Sequence, residues 1–270
     1  MFKNACWITS PRDAGVAVYR YQRSFSTAQK PLKKAVLQAS AVGVYTAEIN
    51  GVRVGNAVLA PGWTSYKFRT QVQTYDVTAL LHSGANLLSF GVGQGWAVGC
   101  IGYGRDNHYT ADHVSLIAAL TLTYADGTSQ TVATAPDWEV LTTPVLSTDI
   151  YMGETVDLTA PIEPVGKAVK DSTVKTRLIP QVGEWITEHE RIAPIAVIRT
   201  PKGELVVDFG QNMTGYVEVR IRAPRGSRIV MHHAEVLDRD GNFYNENYRS
   251  AKNENIYVCS GGEDIFKPSY

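Results

Sequence analysis

Residues 204–257 read ELVVDFGQNMTGYVEVRIRAPRGSRIVMHHAEVLDRDGNFYNENYRSAKNENIY. No part of this run repeats apolar residues at helical spacing. Val206-Val207-Asp208 leads through Phe209 into Gly210, a strand running into a glycine turn. Residues 216–222 alternate apolar and polar side chains, the period of a half-buried strand. Ala223-Pro224-Arg225-Gly226 then breaks the chain, and a new strand starts at Arg228. A segment built this way can only join a sheet.

The rest of the chain reads the same way. Val44 to Ile49 runs into Asn50-Gly51, the strongest short hairpin signal, and Val52 continues beyond it. Residues 115–124 lead through Ala125-Asp126-Gly127 into another strand. Thr78 to Leu81 has room for one helical turn. Strands and turns at this spacing predict an all-β chain of tandem sandwiches. Pro161, Pro164 and Gly166 mark a change of composition. This divides the chain into a first sandwich at 1–165, a bridge at 166–203, and a second sandwich at 204–270 that stops before its last strands.

The 270 residues carry 26 basic and 26 acidic side chains, and 44% are hydrophobic. Such a balance gives no electrostatic reason to expect nucleic acid or an anionic membrane as partner. It suits a neutral ligand such as an uncharged sugar. No run reaches the roughly 18 apolar residues of a membrane span, and the first residues lack the pattern of a secretory signal. Cys6, Cys100 and Cys259 are odd in number and far apart. They read as ordinary thiols of a cytoplasmic protein rather than a disulfide framework or zinc site.

Several motifs lose their first meaning on inspection. The glycines of GVGQGWAVG (91–99) lack the spacing and the following helix of a dinucleotide loop, and read as a tight turn beside Trp96. Asp238-Arg239-Asp240-Gly241 starts like a calcium loop, but Arg249 stands where the bidentate Glu is needed. His232 and His233 are adjacent on a strand and point to opposite faces. No Gly-x-Ser-x-Gly elbow occurs. No carboxylate pair can be singled out for glycoside hydrolysis.

The ordered phrases DFGQN, HAEVLDRDG and YNENYR resemble the β-sandwich that precedes the catalytic barrel of bacterial α-L-rhamnosidases. The first half carries a matching set: INGVRVG at 49–55, LAPGWTSY at 59–66, TYDVT at 74–78, GQGW at 93–96, RDNHY at 105–109 and STDIYMGE at 147–154. These are similar to the N-terminal sandwich of the same enzymes, in the same order. The resemblance covers about residues 35–270. It departs at Ala97, where the family places an aromatic, and at Ser65, where it often has Asp.

The resemblance implies the front part of a glycoside hydrolase that removes terminal α-L-rhamnosyl groups by inversion. Its acid and base lie in an (α/α)6 barrel, so no catalytic residue is expected here and the chain alone is expected to be inactive. A free-standing rhamnose-binding module and a purely structural scaffold are the other readings. Loop aromatics could stack on a sugar, which makes Trp63, Trp96, Tyr103 and Tyr109 candidates, with Asn107 beside them; core filling is the alternative for both tryptophans. No cofactor is required. Some N-terminal domains of this family hold rhamnose through Ca²⁺. Asp106, Asp112, Asp149 and Glu154 are the candidate ligands, against an alternative of solvated loop carboxylates. Glu246, Asn247 and Arg249 are expected to face the barrel, or to sit on a solvated hairpin arm.

Overall fold

The computed structural model describes residues 2, 4–101, 108 and 110–270. Two sheets form the first sandwich. One has the order Val169–Lys170, Ile8–Thr9, Ser115–Tyr124, Leu32–Val42, Arg69–Asp76 and Arg177–Pro180, with Ser129–Ala133 also paired to Ser115–Tyr124. The other has the order Pro164–Lys167, Glu139–Leu141, Tyr19–Ser26, Ala85–Gly93, Val44–Ile49 and Val52–Arg53. Strand alternation decides what lies between them. Ala35, Leu37, Ala39 and Ala41 point inward from the first sheet, and Tyr21, Ala47, Leu88 and Phe90 from the second. Each large side chain removed from water in this layer contributes about 1.5–3 kcal/mol. Tyr45 ties the sheets together, its hydroxyl lying 2.9 Å from Gln73 Oε1 and 3.1 Å from the Tyr75 hydroxyl.

The turns follow their residues. Asn50 (φ 54°) and Gly51 (φ 77°) form a two-residue turn between Ile49 and Val52, which pair directly. Asp126 Oδ1 accepts the Thr128 N–H at 2.9 Å, closing the hairpin at Gly127. Thr78–Leu80 is a single 3-10 turn. After Gln94 the chain makes one α turn, Gly95–Val98, where the sequence suggested no helix. Gly95 sits at φ 52°, and a Cβ there would strike Val44. One turn of this length does not make a phosphate-binding helix.

Residues 166–203, read from sequence as a bridge, pair onto the first sandwich repeatedly, Thr187 also bridging Ala57. Pro164–Lys167 lines up with Glu139–Leu141, Val169–Lys170 with Ile8–Thr9, and Arg177–Pro180 runs parallel to Arg69–Asp76.

The second half is also β, but its sheets are small. Ala196–Arg199 pairs with Leu205–Asp208, Val219–Arg222 with Glu263–Phe266, and Val236–Leu237 with Phe243–Tyr244. The strand expected over 216–222 is regular only from Val219. The Asp238 carboxylate is taken up by its own turn, accepting the N–H groups of Asp240 and Asn242 at 3.0 and 2.7 Å. Tyr257, Cys259 and Phe266 make a separate small core.

A four-stranded sheet joins the halves. Val145–Asp149 and Gly153–Asp157 come from the first, and Glu254–Val258 and Arg228–His232 from the second. Gly153–Asp157 and Glu254–Val258 run parallel, with Val156 opposite Tyr257. The segment after Phe266 crosses back to the first sandwich. The Tyr270 ring lies over Gly91 and Gly93, and its hydroxyl is 2.9 Å from Thr46 Oγ1. Thr148 Oγ1 donates to the Tyr270 carbonyl at 2.9 Å.

A Cβ on Gly91 would collide with the Tyr270 hydroxyl. Gly91→Val is therefore expected to dislodge this ring and cost about 1–3 kcal/mol, the usual penalty of overpacking. Urea unfolding measures the loss, and limited proteolysis should show earlier cleavage near residue 267.

Candidate functional site

Trp63 and Trp96 come together at one surface of the first sandwich. Their rings are 6.3 Å apart and inclined by only 15°. Trp63 follows Gly62 (φ 84°), in a loop whose backbone is pinned where the Ala60 carbonyl accepts the Tyr45 N–H at 2.7 Å. Tyr66 fastens the same loop by donating to the Gly62 carbonyl at 3.0 Å. Trp96 lies in the Gly95–Val98 turn, half-buried against the core. Trp63 is 60% exposed, so core filling does not account for it. A stacked pair with one open indole face is a flat apolar platform, the shape that the C–H face of a pyranose covers.

Tyr103, Asp106, Asn107 and Tyr109 lie outside the described residues. The remaining calcium candidates do not converge. Asp149 is an acceptor for backbone donors: Oδ2 takes the Cys100 N–H at 2.6 Å, and Oδ1 those of Tyr151 and Met152 at 2.8 and 3.0 Å. It closes a turn beside the Trp96 loop. Asp112 is exposed to solvent. Glu154 is buried in the joining sheet, where it meets Tyr257 and Tyr270 rather than other carboxylates. Among the described residues no three His, Cys, Asp or Glu side chains form a group that could hold a metal.

Burial pushes the Glu154 carboxyl up to about 7, against the Ser269 N–H that favours its charged form. Its Oε2 and the Tyr257 hydroxyl have no hydrogen-bond partner. Such a carboxyl contributes to packing only while it is protonated.

Glu246 and Asn247 lie on a 3-10 turn, Glu246–Tyr248, and Arg249 follows at φ 57°. All three are exposed. His232 Nε2 is 3.4 Å from Glu254 Oε2, whereas His233 Nδ1 is 3.2 Å from the Asn253 carbonyl. The two histidines hold different neighbours.

Sequence reasoning missed one polar cluster altogether. Asp171, nearly buried, accepts the Ser115 hydroxyl, lies 3.0 Å from His113 Nε2, and accepts the Thr173 N–H and hydroxyl at 2.8 and 2.6 Å. Serine and histidine both address the same carboxylate oxygen and not each other. The arrangement is a fastening for residues 168–174, not a nucleophilic triad.

The described residues thus form an all-β arrangement that carries an aromatic platform on its surface. The alpha-L-rhamnosidase N-terminal domain family matches residues 30–203, and the bacterial alpha-L-rhamnosidase concanavalin-like domain family matches residues 198–270. The chain belongs to the α-L-rhamnosidase family. It is 36% identical to an alpha-L-rhamnosidase of Streptomyces avermitilis over 98% of its own length and 27% of that protein's. A relative from Alteromonas sp. is 29% identical over 92% of this chain and 28% of that protein. The alpha-L-rhamnosidase structure from Aspergillus terreus superposes with a TM-score of 0.92 at 31% identity, covering 99% of this chain and 33% of that one. The Streptomyces avermitilis enzyme complexed with L-rhamnose gives 0.88 at 34% identity, covering 94% and 26%. The chain thus spans about a quarter to a third of the length of these relatives.

Proposed function

We propose that this chain is the supporting front part of an enzyme that hydrolyses terminal α-L-rhamnosyl groups from glycosides by inversion, with the catalytic groups in an (α/α)6 barrel outside these residues. Its own task is to carry and orient that barrel. One observation supports this above others. In the hairpin of Ala196–Arg199 and Leu205–Asp208, Val197 faces Val207 and Arg199 faces Leu205. Ile195, Val197, Leu205 and Val207 therefore share one face, and each is between 46 and 71% exposed. A contiguous apolar sheet face left in water marks an interface. The exposed Glu246, Asn247 and Arg249 are, in this reading, further residues that face the barrel. We divide the chain at 165 and 203, as its composition suggests. No disulfide links Cys6, Cys100 or Cys259, which suits a cytoplasmic setting, and no helix among the described residues is long and apolar enough to cross a membrane.

The double variant Val197→Thr/Val207→Thr tests this reading. It is expected to leave the unfolding free energy within about 0.5 kcal/mol, as for a surface change, while reducing the fluorescence of a bound hydrophobic dye. A loss of several kcal/mol would mean that the face is already used within the chain, and would refute an open docking surface.

The stacked Trp63–Trp96 pair favours a second reading, a rhamnose-binding module. In its calcium-assisted form the metal ligands would include Asp106 and Asp112, two of the acids singled out in the sequence. Calorimetric titration with L-rhamnose, first with calcium and then with a chelator, separates the forms. Heat lost on chelation supports the calcium site, heat retained on chelation but lost in Trp63→Ala supports the platform alone, and no heat rejects both.

A further inference from the structure

The outer face of the six-stranded sheet carries a cleft of about 170 Å³ that shares no lining residue with the tryptophan pair. Strand register explains its floor. Arg20 and Thr46 both lie opposite Gly91, and Gln22 and Glu48 both lie opposite Ser89. Residues paired in this way project from the same face. The central strand thus offers only a hydrogen and a hydroxymethyl group between the longer Arg20, Thr46 and Glu48; the Tyr270 ring fills the space over Gly91 and the cleft runs beside it. Tyr270 forms one wall, with its hydroxyl engaged by Thr46 at 2.9 Å.

The polar groups of this trough have unused capacity. Arg20 NH2 is 3.8 Å from Glu48 Oε2, too long for a hydrogen bond, and both side chains are about two-fifths exposed. Neither group, nor the Ser89 hydroxyl, makes a hydrogen bond among the described residues. A guanidinium supplies up to five donors and a carboxylate accepts only. Placed side by side, they match two neighbouring hydroxyls, one accepting from Arg20 and one donating to Glu48. The opposed charges cancel, so an anionic or cationic ligand would meet a like charge. The volume falls below the 300–1,000 Å³ of drug-sized sites and suits one ring rather than a chain of them.

We propose that this cleft is a second carbohydrate site, which takes one ring of a neutral sugar through a vicinal pair of hydroxyls held between Arg20 and Glu48, with Tyr270 against the ring. The proposal does not depend on the reading of the tryptophan platform or on that of the apolar hairpin.

Saturation-transfer NMR on the full chain tests it, with methyl α-L-rhamnopyranoside and methyl β-D-glucopyranoside as neutral probes and a methyl glucuronide as the charged one. Transfer to at least one neutral glycoside is expected. Affinity should fall at least tenfold in both Arg20→Met and Glu48→Gln, and stay unchanged in Trp63→Ala. Both substituted side chains are partly exposed, and the unfolding midpoint of each variant checks that it folds. If Arg20→Met does not, Glu48→Gln decides. Undiminished binding in the folded variants overturns the proposal, as does the lack of transfer to either neutral glycoside. Loss in Trp63→Ala alone overturns it too, while leaving the platform reading intact.

Discussion

Replacing Glu154 by Gln is expected to stabilise this chain at pH 8 by roughly 3 kcal/mol and to change it little near pH 4.5. Glu154 is only 4% exposed, on a strand in the middle of the sheet that joins the two halves. Burial raises its carboxyl from an ordinary 4.5 to about 7. Below about 4.5 the group is protonated in both folded and unfolded chains. Between 4.5 and 7 the unfolded chain gives up the proton and the folded one keeps it, so stability falls as pH rises. Above 7 the whole loss has been taken, about 1.4 kcal/mol for each tenfold difference in proton affinity between the folded and unfolded chains. Glutamine has no proton to lose and places no charge in the buried sheet at any of these pH values. Urea unfolding of both proteins at pH 4.5, 6 and 8 should show a gap that opens with pH. A gap of constant size would show that Glu154 does not titrate in the buried seam.

The opposite behaviour is expected of Asp171. Burial works against its charge, but the Ser115 and Thr173 hydroxyls, the Thr173 N–H and His113 outweigh it and hold the carboxyl at about 2, from an ordinary 3.8. Its contribution is present above pH 4 and is lost as pH falls toward 2. Asp171→Ala removes a nearly buried acceptor from four donors at once, and with it the fastening of residues 168–174 to the strand Ser115–Tyr124. Ser115 is the buried donor, and leaving its hydroxyl unmet costs about 1–3 kcal/mol, while the exposed Thr173 and half-exposed His113 lose charge-assisted bonds but can turn to water. A net loss of about 3 kcal/mol at pH 7 is expected, with Asp171→Asn less damaging. In urea unfolding the difference between Asp171→Ala and the parent should narrow from pH 4 downward. A substitution that costs less than about 0.5 kcal/mol at pH 7 would remove the fastening role.

These two carboxylates show what could be read from sequence and what could not. Asn50-Gly51 and Ala125-Asp126-Gly127 were legible because a turn is decided by the φ angles its own residues accept. The all-β class was legible because alternation is local. The joining sheet was not, since Gly153–Asp157 pairs in parallel with a strand about a hundred residues later. Parallel pairing of this kind has no turn to announce it. Asp149 and Glu154 looked alike as loop acids, yet one satisfies backbone donors and the other is buried in the joining sheet. The tryptophans were found by residue type, but only the fold puts Trp63 and Trp96 ring to ring. The Arg20–Glu48 trough is invisible in the sequence because its register runs across three strands.

The most direct test of the account is an assay of the purified chain with p-nitrophenyl α-L-rhamnopyranoside. A supporting region without an acid–base pair should release no nitrophenol above the buffer rate at any concentration of chain. Release proportional to the amount of chain, surviving repurification, would contradict it and place catalytic carboxylates within these 270 residues.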